Sequence, residues 1–191
     1  MIRKVSVLIA ALVALGVCAG CDGGRDPGKS PRVDALTRCA EAEKFLSARQ
    51  IPEAMIAADE AVSAEGADDE IKGRACKVLS LCHTEARNST SALAFAGMAL
   101  ASNPADEEAA MIYADALTDA GRYGECVDFL DSISGDNLNL RRRLIPALAG
   151  DGEWRRLMEL TDSIGTDQLY DSELLYRADA LAHLGLLSSL R

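Results

Sequence analysis

Only two of the 191 residues are histidine, and the chain contains no Gly-x-Ser-x-Gly elbow and no His-Glu-x-x-His helix. Catalysis needs a convergent set of groups, and neither of these two ways of assembling one is present. The chain is read as a non-enzyme, with no catalytic residue, cofactor or metal. Positive charge is also in deficit: 20 lysines and arginines stand against 30 aspartates and glutamates, a net charge of −10. Phosphate repels such a surface, so nucleic acid is excluded and anionic headgroups are poor partners. Aromatics amount to 4%, β-branched runs are few and no Asn-Gly hairpin signal appears. Alanine and leucine abound instead, and these favour helix. An all-α chain is expected.

No apolar run is long enough to span a bilayer core of about 30 Å, which takes roughly 20 residues. The one marked run is Val5–Val17, thirteen residues behind the basic pair Arg3 and Lys4. A basic start, a short apolar core and small residues at its end are the layout of a secretory signal. No Ala-x-Ala site closes it; Ala19-Gly20-Cys21 stands there instead. This stretch resembles the lipobox of bacterial lipoproteins, in which the cysteine receives diacylglycerol before the signal is removed. The resemblance implies a signal peptide over 1–20, lipidation at Cys21 and a periplasmic domain anchored to a membrane. Cys18 occupies the place where leucine is usual, and as the modified residue it would follow the branched Val17, a poor fit. A Cys-x-x-Cys redox pair wants a βαβ context and a zinc site wants a second ligand pair, and neither is present. In enterobacteria an aspartate after the lipidated cysteine, here Asp22, retains the protein in the inner membrane; inner or outer membrane is left open. Loss of Arg3 and Lys4 with the signal moves the net charge from −10 to −12. Residues 21–32, rich in glycine and proline, read as a flexible tether, and 33–191 as the folded body.

The body repeats itself. Residues 73–106 and 107–140 are two 34-residue units in which Cys76, Leu79, Ser80 and His83 have the same spacing as Ala110, Tyr113, Ala114 and Leu117. Ala92, Ala96, Ala99 and Pro104 follow in the first; Gly121, Tyr123, Cys126, Leu130 and Ile133 follow in the second. A period of this length with small residues at these places resembles the tetratricopeptide repeat, a pair of antiparallel helices. Small Ser80 and Ala114 facing Ala92 and Cys126 let the two helices of a pair approach closely, while Leu79, Leu117 and Leu130 fill the space between repeats. Further units are read at 35–68, 138–170 and, in part, 171–191, where "ADALAHLG" echoes "ADALTDAG" of 114–121. Asp69–Lys72 should lengthen the helix that follows them. Asn103-Pro104 reads as an N-cap with proline at the first helical position. Gly121 should close a turn between helices. Pro146 should kink or shorten the first helix of the fourth unit. The fold expected is a right-handed superhelical array of four to five helix pairs.

In that family the first helices line a concave groove that holds an extended peptide or a partner helix. The matching positions are Leu36, Cys39 and Glu43; Arg74, Lys77 and Leu81; Glu108, Met111 and Asp115; then Arg142 and Leu175. One subfamily grips a carboxylate with lysine and asparagine; Lys77 matches but Leu81 replaces the asparagine, so that clamp is not implied. The partner-binding groove is assigned to Arg74, Lys77, Leu81, Glu108, Met111 and Asp115. His83 is expected at a core position and His183 facing solvent. Cys82 and His83, as neighbours on a helix, point apart. Cys76 and Cys126 are expected as buried free thiols, with Cys39–Cys76 the one pair open to a disulfide. Asn88-Ser89-Thr90 is read as a polar turn and Arg141–Arg143 as a solvated helix face. The function implied is a membrane-anchored protein-interaction scaffold or adaptor of the bacterial envelope. The alternative is a self-assembling structural subunit that docks through an apolar C-terminal edge bearing Leu186 and Leu190.

Overall fold

The computed structural model describes residues 30–185; Cys21, the signal peptide, most of the tether, Leu186 and Leu190 lie outside the described residues. Nine α-helices and no strand occur among the described residues. They pair in chain order: α1 (Pro31–Ser47) with α2 (Ile51–Ser63), α3 (Asp69–Glu85) with α4 (Ser89–Ser102), α5 (Glu107–Asp119) with α6 (Tyr123–Ile133), and α7 (Leu138–Asp151) with α8 (Trp154–Ile164). A short 3-10 turn at Thr166–Gln168 leads to α9 (Asp171–His183). Each first helix packs on its own second helix and on the first helix of the next pair. The result is the helix-pair solenoid of tetratricopeptide type that the spacing suggested.

Short polar side chains start these helices. Oδ1 of Asp68 accepts from the Ile71 N–H, that of Asn88 from Ser91, that of Asp106 from Ala109 and that of Asn137 from Leu140. Such a cap is worth about 1 kcal/mol. Asp69–Lys72 do form the first turn of α3. Three expectations are corrected here. The folded body starts two residues earlier than expected, because Ser30 caps α1 and Pro31 fits its first turn. Asn103 does not cap α5: it follows α4, bends the chain by accepting from the Ala105 N–H, and leaves the cap to Asp106. And α7 is not cut short at Pro146 but continues through it, 14 residues in all. Leu140, Leu144, Ile145, Ala147 and Leu148 are buried on both sides of the proline. At about 1.5–3 kcal/mol per large buried side chain, that burial outweighs a proline cost of about 3 kcal/mol.

Every first helix ends in one kind of turn, with a left-handed residue at the same place. Gly121, Gly152 and Gly185 have φ of 71, 79 and 71°, but Arg49 and Arg87 do the same work at φ 57°. In four of these turns the next N–H reaches back five residues at 2.9 Å, as from Gln50 to Phe45 and from Asn88 to His83. An L-residue with a Cβ pays about 1–2 kcal/mol for that conformation. Arg87→Gly should therefore raise stability by about 0.5–1 kcal/mol after the entropy that glycine loses on folding, read as a higher urea midpoint. An unchanged or lower midpoint would show that the arginine side chain compensates.

The buried side chains form two main clusters. One spans α1–α3 and holds seven alanines among its twelve members, with Ile71, Val78 and Leu79. The other spans α5–α9 and is mostly leucine and isoleucine, among them Leu117, Leu130, Leu144, Ile145, Leu148 and Leu157. Smaller clusters around Cys76, Ala99 and Ala109, and around Ala96, Ile112 and Ala116, join them. The small-residue crossings match their reading: Ser80 Oγ donates to Ala92 O at 2.9 Å, and Cys126 Sγ to Ala114 O at 3.4 Å. At the start of α1 the chain is pinned, since a Cβ on Gly66 would lie 2.1 Å from the Arg32 nitrogen. Arg32 Nε also meets Asp68 Oδ2 at 2.7 Å.

Candidate functional site

The six groove residues lie on α3 and α5, and the structure brings one pair of them together directly: the Lys77 ammonium donates to the Glu108 carboxylate. Lys77 also donates to Asp106 Oδ2 at 3.0 Å. Arg74 turns to α1, where its Nε and Nη2 meet the two oxygens of Glu43 at 2.9 and 2.8 Å. Asp115 turns to α7, with Arg143 Nε 3.0 Å from its Oδ1. One pair further, Arg142 donates to Glu173 of α9 and to the Gln168 carbonyl at 2.6 Å, with its guanidinium 4.2 Å above the Tyr170 ring. The charged positions of the first helices thus form a ladder in which each helix grips the next. Leu81 and Met111 lie half-buried among them, packed on the smaller cluster and on the C-terminal core respectively. Cys39, expected on the groove, is fully buried.

Arg141–Arg143 do not make one solvated face. Arg141 donates to Ser163 of its own pair at 2.7 Å, Arg142 reaches forward and Arg143 back. His183 is exposed, as expected, but stacks flat on Trp154 with ring centres 4.1 Å apart. Tyr123 occupies the corresponding place one pair earlier, its ring so close to Gly150 that a Cβ there would come within 2.4 Å. His83 is half-buried and stacked on Phe95. All four cysteines of the described residues are buried and free, Cys39 and Cys76 included. Burial pushes each thiol above its ordinary pKa, which leaves them unreactive. Among the described residues no group of three or more His, Cys, Asp or Glu side chains is placed to hold a metal.

Electrostatics follow the ladder. Burial pulls the Lys77 pKa down, but the hydrogen bonds to Glu108 and Asp106 outweigh it and the net shift is upward. The Asp106 carboxyl is likewise raised by burial and lowered more by Lys77 and the Ala109 N–H. Asp68 is lowered by the Ile71 N–H and then by Arg32. The Asp115 carboxyl is pushed up by the packing around it, with Arg143 pulling against that. Asp68 and Asp106 each use one oxygen to cap a first helix and the other to hold the preceding one. Because both are lowered in the folded state, their contribution is complete above the unfolded aspartate pKa of about 3.9. It is lost as the pH falls through their folded values. Asp68→Asn/Asp106→Asn keeps the caps and removes the titration, so its stability, measured by urea unfolding, should fall less than wild type between about pH 5 and about pH 2. An acid limb identical to wild type would place the titration elsewhere.

The ladder went unread in the sequence, yet it left a signal. Glu43–Arg74, Lys77–Glu108 and Arg142–Glu173 are all opposite charges 31 residues apart, which for Lys77–Glu108 is three residues short of the 34-residue period of their units.

No family model matches the chain, and no curated protein matches it in sequence. A solved structure of MamA AMB-1 is similar in fold, with a TM-score of 0.64 and 14% identity over 82% of this chain and 92% of that one. A likeness at that identity concerns the arrangement of helices, and it agrees with the helix-pair solenoid built up above.

Proposed function

We propose that the chain is a lipid-anchored protein-interaction scaffold of the bacterial envelope, held to a membrane through Cys21 with its helical array in the periplasm. The face made by Arg74, Lys77, Leu81, Glu108, Met111 and Asp115 receives an extended segment or a helix of a partner protein. The observation that carries this reading is the ladder itself. Its charges are held in fixed places by partners on neighbouring helices, so the face is preorganised and keeps Leu81 and Met111 between them as apolar contacts. Because Lys77 and Asp115 also hold repeats together, reversing their charges would disturb the fold as well as the face. A cleaner test places a photo-crosslinking amino acid at 81 or 111 in the full chain and irradiates intact cells. The same discrete adduct from both positions, absent from a probe at exposed Thr90 on α4, is the expected result. Adducts that match those at Thr90 would sink the groove. For the anchor, Cys21→Ala should abolish incorporation of a labelled fatty acid; labelling that survives it and is lost in Cys18→Ala would move the site.

A further inference from the structure

The face of α9 that matches the covered face of α5 is open among the described residues. The 64-residue echo aligns Leu174, Ala178 and Leu181 with Ala110, Ala114 and Leu117. The α5 set is at most 4% exposed, lying under α6, whose Cys126 donates to Ala114 O. On α9, Leu174 is 39% exposed, Ala178 is exposed and Leu181 half-buried. Leu174 is thus an exposed large apolar side chain on this stripe, while exposed Leu175 lies on the groove side and the Tyr170 ring under the Arg142 guanidinium. The opposite side of α9 is already used, with Ala180 and Tyr176 in the C-terminal core and Arg177 bound to Asp162 at 2.7 Å. The turn at Gly185 has the same φ, 71°, as the one at Gly121 that leads into α6.

Charge says what kind of helix fits. Asp171 continues the Leu174–Ala178–Leu181 stripe one turn toward the start of α9, and Asp179 flanks it; both are exposed. The one arginine of α9 is taken by Asp162, and the chain as a whole carries −10. A second copy would bring like charge to this rim, whereas a basic helix would be drawn to it. Resting on the scaffold reading, we infer that the open face of α9 docks an amphipathic helix of a partner protein, apolar along one stripe and lysine- or arginine-flanked, laid antiparallel to α9 as α6 lies on α5. Small or mid-sized apolar side chains four residues apart, like Cys126 and Leu130, are the complement that Ala178 and Leu174 require.

The test uses the full chain and a labelled synthetic helical peptide of α6's length, 11 residues, with alanine and leucine four apart and lysines on both flanks. Fluorescence anisotropy should show saturable binding. Leu174→Glu/Ala178→Glu should weaken it by about tenfold or more, and a peptide with glutamates in place of the lysines should bind about tenfold less well. Both substitutions are at exposed positions, and an unchanged circular dichroism spectrum confirms the fold. Equal binding by the variant overturns the site, and equal binding of the two peptides overturns the partner's chemistry. Self-association of the wild-type chain in sedimentation, lost in the variant, would assign the face to a second copy. Binding that requires removal of residues 186–191 would assign it to the chain's own end. If crosslinks at 81 and 111 fail while the peptide still binds, only the groove reading falls.

Discussion

Ala114→Trp should cost about 3 kcal/mol or more, enough to lower the unfolding midpoint of the whole array sharply. Ala114 is 1% exposed and sits where α5 crosses α6, with the Cys126 thiol on its own carbonyl at 3.4 Å. A close-packed crossing of this kind has no void for an indole. To admit it, α6 must move off α5, and Cys126, Val127 and Leu130, each at most 3% exposed, move with it. Ala101→Trp on the exposed side of α4 is the control and should change stability by less than about 0.5 kcal/mol. Urea unfolding followed by far-ultraviolet circular dichroism measures both. A loss below about 1 kcal/mol at position 114 would mean that the pairs are packed loosely.

Arg142→Met should cost about 3 kcal/mol, for a different reason. The Arg142 and Glu173 side chains are 12% and 9% exposed, so removing the guanidinium strands a buried carboxylate whose remaining partner is the Tyr170 N–H at 2.9 Å. The Gln168 carbonyl loses its donor too. Arg142→Met/Glu173→Gln keeps an acceptor for the Tyr170 N–H and removes the charge, so it should recover much of the loss. A double variant no more stable than Arg142→Met would show that the ion pair is not what holds α9 to α7. The exposed rungs are weaker: Arg74 and Glu43 keep 32% and 41% of their side chains in water, and pairs of that kind contribute about 0–1 kcal/mol.

The readable part of the chain was its middle. Ser80, Ala92, Ala114 and Cys126 are small because two helix axes meet there, and that requirement marks a sequence wherever it applies. The turns were less legible. Gly121 announces one, but Arg49 and Arg87 adopt the same left-handed backbone while looking like any surface arginine. Pro146 misled as a sign of a shortened helix because propensity is local, whereas the burial that keeps α7 helical past it comes from other helices. Asn103 misled because it and Asp106 are both good caps, and only the length of the loop decides between them. The positions of the candidate site were legible as a helix face, but not what the charges do there. A repeat motif says which residues share a face and nothing of which partner each selects. The spacing of 31 between opposite charges is the trace those choices leave in the sequence.

The two clusters of the interior give the array a mechanical polarity. Methyl groups line most of the N-terminal block, and they bury less surface per residue than the leucines of the C-terminal block. A load entering at α1, where Gly66 and Asp68 clasp the first turn, meets first the block that buries less apolar surface per residue. It is passed on through α4 and α5, where the smaller clusters join the two blocks. On that count the pairs from α5 to α9 should be the last to give way. A protein tethered at its N-terminal end would then open first next to the anchor and last at the far end, where α9 offers its open face.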